Sequence, residues 1–269
     1  MFLNASIIFS ALTLTAAFEG KSNTATLKAS GFEGSLSPFS ECNHKSPSYS
    51  HATSESPFHA GSGKLTVYFD ESNYDGTRDD KGAEICHFDS GTTTNAILKK
   101  EGYQGFALYV PSSSFPTDKS TIVAQQFCPG GCSSWCGTLA ITGNQLVVDH
   151  RSSCGNPTQQ VIASSIARDT WHSVIVRFKV SAAEKGAYEV WYNGSNVYSS
   201  KNINVRFGSW SDDTLTSGFY FKNGQYASVT FFVDIENYNG GTRTLYFDNV
   251  SWYDVSDGQT DGRSVVDPS

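Results

Sequence analysis

The sequence predicts an all-β chain, a jelly-roll sandwich of two packed antiparallel sheets. Three observations carry that expectation. Short runs rich in Val, Thr, Tyr and Phe recur along the 269 residues, bounded by turn signals such as "YDG", "TGNQ", "YNGSN" and "YNGG". Helical periodicity is scarce. In "WHSVIVRFKVS", Val174, Val176, Phe178 and Val180 share one face, while Ile175, Arg177 and Lys179 share the other. Many such strands in one chain of this length pack as two layers rather than one.

At the N-terminus, "MFLNASIIFSALTLTAAFEG" has an apolar stretch from Ile7 to Leu14, followed by Ala16 and Ala17. Although it lacks a charged start, the profile is that of a signal peptide. Residues 1–17 are therefore expected to be removed on secretion, leaving 18–269 as a single extracellular domain. The apolar run is shorter than the roughly 20 residues that span a bilayer, and no later stretch could span one. From Gly31 to Gly63 the chain is rich in Ser, Pro and His, which reads as an irregular entry segment. Candidate strands follow at Gly63–Phe69, Ala83–Phe88, Tyr103–Val110, Ser120–Phe127, Gly137–Thr142, Gln145–Asp149, Thr170–Val180, Gly186–Tyr192, Gly218–Phe221, Ser228–Glu236 and Thr244–Tyr253. Within "QQVIASSIARDTW" one helical turn is expected. "SAAEKGAY" reads as a turn between strands.

The six cysteines, Cys42, Cys86, Cys128, Cys132, Cys136 and Cys154, form an even set in a chain expected to be secreted, which predicts disulfides. No histidine lies within "CPGGCSSWC", and no Cys-x-x-Cys pair stands nearby to complete a zinc site. Asn193-Gly194-Ser195 and Asn249-Val250-Ser251 are glycosylation acceptors on the same route. The formal net charge of −7, with no Lys/Arg-rich run, argues against nucleic acid as a partner. An anionic ligand would require the few cations to be gathered in one place.

The stretch "GFYFKNGQYASV" is unusual for a strand. Alternation puts Phe219, Phe221, Asn223 and Gln225 on one face, and Tyr220, Lys222, Gly224 and Tyr226 on the other. The two phenylalanines assign the first face to the inter-sheet core. The second is then an open surface of two phenols and an ammonium, with a gap at Gly224 where a ligand could approach closely. Tyrosine suits a sugar, because its ring packs on C–H groups while its hydroxyl makes hydrogen bonds.

"YFKNGQY" resembles the Tyr-Phe-Lys-Ala-Gly-x-Tyr strand of the alginate-lyase-like β-jelly-roll polysaccharide lyases, with Asn223 in place of Ala. "STIVAQQF" resembles the strand of those enzymes that supplies an inward Gln, and "WHSVIVRFKVS…GAYEVWYNG" the strand pair that follows. The resemblance covers roughly residues 60–255 and implies a concanavalin A-like sandwich with a concave groove. Two departures matter. The Arg-Ser-Glu-Leu-Arg motif of the alginate enzymes is replaced by a region offering Arg78, Glu84 and His87, and the histidine of Gln-x-His is replaced by Phe127. Both point to the fungal glucuronan lyases, polysaccharide lyase family 20, in which the resemblance implies a histidine from the preceding strand. It also implies Gln125 rather than Gln126 as the amide of the site, against the plain alternation, which would bury Gln125 with Val123.

The chemistry implied is β-elimination on a 4-linked uronate. The C5 proton becomes acidic only if donors meet the developing enolate. A base must then take that proton, and an acid must protonate O4. In glucuronate H5 and O4 share one face, so Tyr226 could serve both steps, provided that cations such as Lys222 lower a phenol pKa ordinarily near 10. Gln125 would donate to the substrate carboxylate and His87 would donate or act as base, while Arg78, Lys222 and Tyr220 would bind substrate. Glu84 is expected to face away from His87 and to support a cation from the other face. No cofactor is required for catalysis. The resemblance adds one structural calcium ion, with Glu33 and Asp248 as its carboxylates. The partner expected is an anionic polysaccharide met by a monomer. A non-catalytic carbohydrate-binding jelly roll and a glycoside hydrolase are alternatives on the same fold. For the hydrolase, Glu189 and Glu236 lie in strands without an evident mate.

Overall fold

The computed structural model describes residues 27–73, 81–88, 95, 97–130, 134–205, 210–211, 214–227, 241–255 and 261–269. The expected signal segment, Arg78, Cys132 and the candidate strand at 228–236, with Glu236, lie outside them.

Two antiparallel sheets make up the fold. One has eight strands: β1 (Lys28–Ser30), β3 (Tyr49–Thr53), β4 (Lys64–Asp70), β6 (Glu101–Tyr109), β11 (Trp171–Lys179), β12 (Gly186–Tyr192), β13 (Ser195–Ile203) and β17 (Thr242–Asp254). They run in the order β13-β12-β11-β6-β17-β4-β3, with β1 also on β17. The other has seven: β2 (Ser40–Cys42), β5 (Gly82–Cys86), β7 (Ser120–Cys128), β8 (Ser134–Thr142), β9 (Gln145–His150), β10 (Thr158–Ala163) and β16 (Tyr220–Tyr226), in the order β10-β9-β8-β7-β16-β5-β2. Among the described residues, a small ribbon, β14 (Trp210–Ser211) with β15 (Thr214–Leu215), a 3-10 turn at Glu71–Asn73 and one α-helical turn, α1 (Arg263–Val266), complete it.

The core lies between the sheets, where side chains of both inner faces interdigitate. Val174, Val176, Phe178 and Val180 are buried in it, on the face that their alternation assigns to them. From the facing sheet, Phe219 and Phe221 meet Phe178 and Trp252 edge-on, with centroids 5.3 and 6.1 Å apart. Disulfides join Cys42 to Cys86 and Cys128 to Cys136, and Cys154 is also disulfide-bonded.

Three elements differ from expectation. The helical turn expected in "QQVIASSIARDTW" is instead strand β10, paired with β9. Its Gln159 and Gln160 are exposed, as an edge strand allows, so no apolar alternation marks it. β13 went unrecognised for the same reason, since "SNVYSSKNI" is a mostly polar edge strand. The entry segment is not wholly irregular, for it supplies β2 and β3, too short for a periodic signal.

Candidate functional site

The site is built on the outer face of the seven-stranded sheet, around β16. β16 lies between β7 and β5, with Lys222 opposite Gln125 and Tyr226 opposite both Ile122 and Gly82. Directly opposed residues project to the same face, so the register puts Lys222, Gln125, Tyr226 and Ile122 on one surface. Gln125 reaches that face because β7 carries a bulge. The register slips between Ile122 and Ala124, so Val123 and Ala124 both enter the core and Gln125 is turned outward. The plain alternation fails at this one residue. Gln126, its neighbour, points inward and donates from Nε2 to Gln104 Oε1 at 3.0 Å.

At the centre of the face is the Glu84 carboxylate. Its Oε2 accepts from Lys222 Nζ at 3.1 Å and Asn43 Nδ2 at 2.8 Å, and its Oε1 accepts from Gln125 Nε2 at 2.5 Å. Glu84, Lys222 and Gln125 are 1, 2 and 2 % exposed. The ammonium also lies 5.0 Å from the centre of the Phe127 ring and 5.9 Å from that of Tyr220. Glu84 therefore shares a face with Lys222. Ala83 and Ile85 fill the core, which leaves Glu84 outward by alternation.

Tyr220 and Tyr226 frame this centre and are partly exposed. Tyr226 packs against a cluster of Ile122, Trp135 and Ala140. Gly224, between Lys222 and Tyr226, has φ 143°, and a Cβ there would meet the Ala83 carbonyl oxygen at 2.3 Å. Only glycine lets β5 approach so closely. His87 follows β5, and its Nδ1 is 2.8 Å from the Pro38 carbonyl oxygen. A carbonyl only accepts, so the neutral ring carries its proton on Nδ1 and keeps the lone pair on Nε2.

The polar row continues from Gln125 to its opposed residue Thr138 on β8, then to Asp149 on β9 and Gln159 on β10. Asp149 accepts from Gln159 Nε2 at 2.9 Å and from Thr138 Oγ1 at 3.4 Å. Burial pushes its carboxyl up to about 6, against the pull of those two bonds and of the Arg151 charge. Arg151 lies over the Trp135 ring, 3.8 Å from its centre, and burial lowers its guanidinium to about 10. Neither Asp149 nor Arg151 was singled out in the sequence. The register that aligns Asp149 with Gln125 through Thr138 depends on a bulge in β7 that no short motif marks.

Glu33 and Asp248 come close enough for Glu33 to add to the rise in the Asp248 carboxyl, which burial lifts to about 6. Their oxygens are already met by donors. Glu33 accepts from Ser62 N and Oγ, and Asp248 from the backbone N–H groups of His59, Ala60 and Asn249. A calcium ion takes six to eight oxygen ligands, and a cradle of N–H donors is the wrong surrounding for one. Among the described residues no group of three His, Cys, Asp or Glu side chains could hold a metal ion. The pair does not fit calcium as placed; it ties the 59–62 segment to β17. Of the two glycosylation acceptors, Asn193 is exposed in the β12–β13 turn. Asn249 is 6 % exposed and its Nδ2 donates to the Pro268 carbonyl at 3.1 Å, so that expectation is corrected: the nitrogen a glycan would occupy is turned inward.

The remaining carboxylate candidate for hydrolysis, Glu189, is ion-paired to Arg177 and Lys201 on the eight-stranded sheet. On the outer face of the seven-stranded sheet, Glu84 and Asp149 stand four strands apart. At about 4.8 Å per strand that is about 19 Å, against the roughly 5–10 Å between the two carboxyls of a glycosidase.

Comparison with solved structures gives an endo-β-1,4-glucuronan lyase from the fungus Trichoderma reesei, 19 % identical, covering 92 % of this chain and 99 % of that one, with a TM-score of 0.65. The cellulose-induced protein Cip1 is 12 % identical over 83 % of this chain and 95 % of its own, with a TM-score of 0.55. A family 7 alginate lyase, A1-II', is 13 % identical over 74 % and 82 %, with a TM-score of 0.51. At these identities the likeness is one of fold. No curated protein matches the chain. The family model described as polysaccharide lyase matches residues 33–251, and the chain accordingly belongs to the polysaccharide lyase family.

Proposed function

We propose that this lyase cleaves β-1,4-linked glucuronate polymer by β-elimination, leaving 4,5-unsaturated uronate ends. The observation that carries the proposal is the convergence of Gln125, Lys222 and Tyr226 on one outer sheet face, with Tyr220 and Tyr226 partly exposed there. The likeness in fold to a glucuronan lyase over nearly the whole of both chains supports the substrate class. So does Phe127. It stands where the alginate enzymes carry a histidine, and its ring packs 5.0 Å from that of Tyr220. A phenyl group cannot move a proton.

In this reading the uronate ring lies over Tyr226, with its carboxylate toward the Gln125 amide. Hydrogen bonding there drains charge from C5 as the enolate forms. Tyr226, from the one face that H5 and O4 share, takes the proton and returns it to the leaving oxygen. His87, whose neutral ring would keep its lone pair on Nε2, is the second candidate base, and Tyr220 adds a stacking surface. Arg78 belongs to the proposal as a carboxylate ligand. Catalysis draws on side chains alone and on no metal. Disulfides and the exposed Asn193 acceptor support a secreted protein. It would act on its anionic polymer as a monomer.

The test is a panel of uronans, including polyglucuronate, polymannuronate and polyguluronate, followed by ultraviolet absorbance of the unsaturated product and by reducing ends. Absorbance rising on polyglucuronate above the others supports the proposal. Reducing ends without absorbance would mean hydrolysis, and binding without either would mean a sugar-holding module.

A further inference from the structure

Resting on the lyase reading, we propose that Glu84 is a positioning residue: it sets which way the Gln125 amide points and holds Lys222 beside it, without touching the sugar itself. Three observations converge. The carboxylate is 1 % exposed and both of its oxygens are already met by protein donors, and as an anion it would repel a uronate carboxylate. It receives donors from three separate segments, Asn43 just after β2, Gln125 on β7 and Lys222 on β16. Each oxygen has its own share, Oε1 taking Gln125 and Oε2 taking Asn43 and Lys222.

The chemistry is directional. A side-chain amide can present either end to a neighbour, and an unconstrained glutamine would sample both. A carboxylate paired with an ammonium accepts only. Gln125 must therefore turn its nitrogen to Glu84. One N–H is spent there, and the second N–H and the carbonyl keep a fixed direction. A donor aimed in advance at a developing enolate costs no reorganisation during reaction, which is the source of its effect. Lys222 is placed by the same carboxylate, and the ion pair leaves the centre of the site close to neutral. Recognition of the uronate carboxylate then rests on directed hydrogen bonds more than on net charge.

The experiment combines kinetics with a spectroscopic readout. Gln125→Ala should lower kcat by about 100-fold, the usual loss for one preorganised donor. Glu84→Ala should lower kcat to within about threefold of that value with KM changed less than about threefold, and the double variant should be no slower than Gln125→Ala alone, because both changes remove one device. Glu84→Gln, which keeps an acceptor for the amide, should recover part of the rate. In 15N-labelled protein the Gln125 side-chain N–H facing Glu84 should resonate downfield of its partner in the wild type and lose that offset in Glu84→Ala; if the alanine variant does not fold, the offset should shrink in Glu84→Gln, whose neutral acceptor makes a weaker bond. Full kcat in Glu84→Ala, additive losses in the double variant, or an amide signal indifferent to residue 84 would overturn the proposal. A wild-type protein that yields no unsaturated product would instead remove the lyase reading, and the amide signal would still decide how Gln125 is held.

Discussion

Strand β16 carries two buried polar clusters, one on each face, and they are made differently. Inward, Asn223 Oδ1 accepts from Trp252 Nε1 at 2.9 Å and Gln104 Nε2 at 2.8 Å, and Gln225 Nε2 donates to the Val67 carbonyl at 2.8 Å. Every member is neutral, and partners come from both sheets, so this cluster stitches the sandwich together. Outward, Lys222 and Gln125 meet Glu84, an ion pair with an amide attached, all within one sheet plus Asn43. A neutral network is a modest cost in a core. A buried charge is a large one unless paired. A strand that needed only to pack would have no use for the second cluster, and the difference is the one that the proposed function requires between a structural inner face and a reactive outer one.

That division can be broken in order of expected effect. Lys222→Met strands the Glu84 carboxylate in a buried site and should destabilise the fold by about 4 kcal/mol, read from urea unfolding. A cost below about 1 kcal/mol would show that the pair is open to water.

Asp149, on the same outer face, has no cation hydrogen-bonded to it. Its carboxyl is raised from an ordinary 3.8 to about 6, so the folded state holds the proton more tightly than the unfolded chain does. Stability from this group is therefore greatest below about pH 4, falls as pH rises through about 6, and is flat above. The fall amounts to about 3 kcal/mol at most. Asp149→Asn should be more stable than wild type at pH 7 and lose that advantage near pH 4, measured as unfolding free energy against pH. Asp248 declines similarly and is common to both proteins, so the difference isolates Asp149. A difference that does not vary with pH would contradict the assignment.

On the inner face, Asn223→Ala orphans the Trp252 indole N–H and one Gln104 donor. It should cost about 2 kcal/mol in stability while the folded fraction keeps kcat within about threefold. Loss of turnover without loss of stability would erase the distinction between the faces.

These contrasts also show what the sequence could and could not say. The facing of β16 was legible, because Phe219 and Phe221 leave no doubt which side meets the core. The presence of disulfides, though not their pairing, the two-sheet class and most strand positions follow from local composition. Glu84 does support a cation, as expected, but it does so on the face of Lys222 and Gln125 and not from the other one, because its placement depends on a register with Gly224 and Cys42 that lies outside any local pattern. The bulge that turns Gln125 outward is likewise a pairing property of β7 and β8. Resemblance to a known strand chose the outward-facing glutamine, where alternation would have chosen the inward one. The polar edge strands β10 and β13 left no apolar signal to read.

The central claim is that Tyr226 performs the proton transfers of an elimination. Replacing it by phenylalanine removes one oxygen and keeps the ring against Ile122 and Trp135. With polyglucuronate as substrate, Tyr226→Phe should lose at least about 100-fold in formation of unsaturated product while binding the polymer within about threefold of wild type. Turnover near the wild-type rate in that variant would contradict the account.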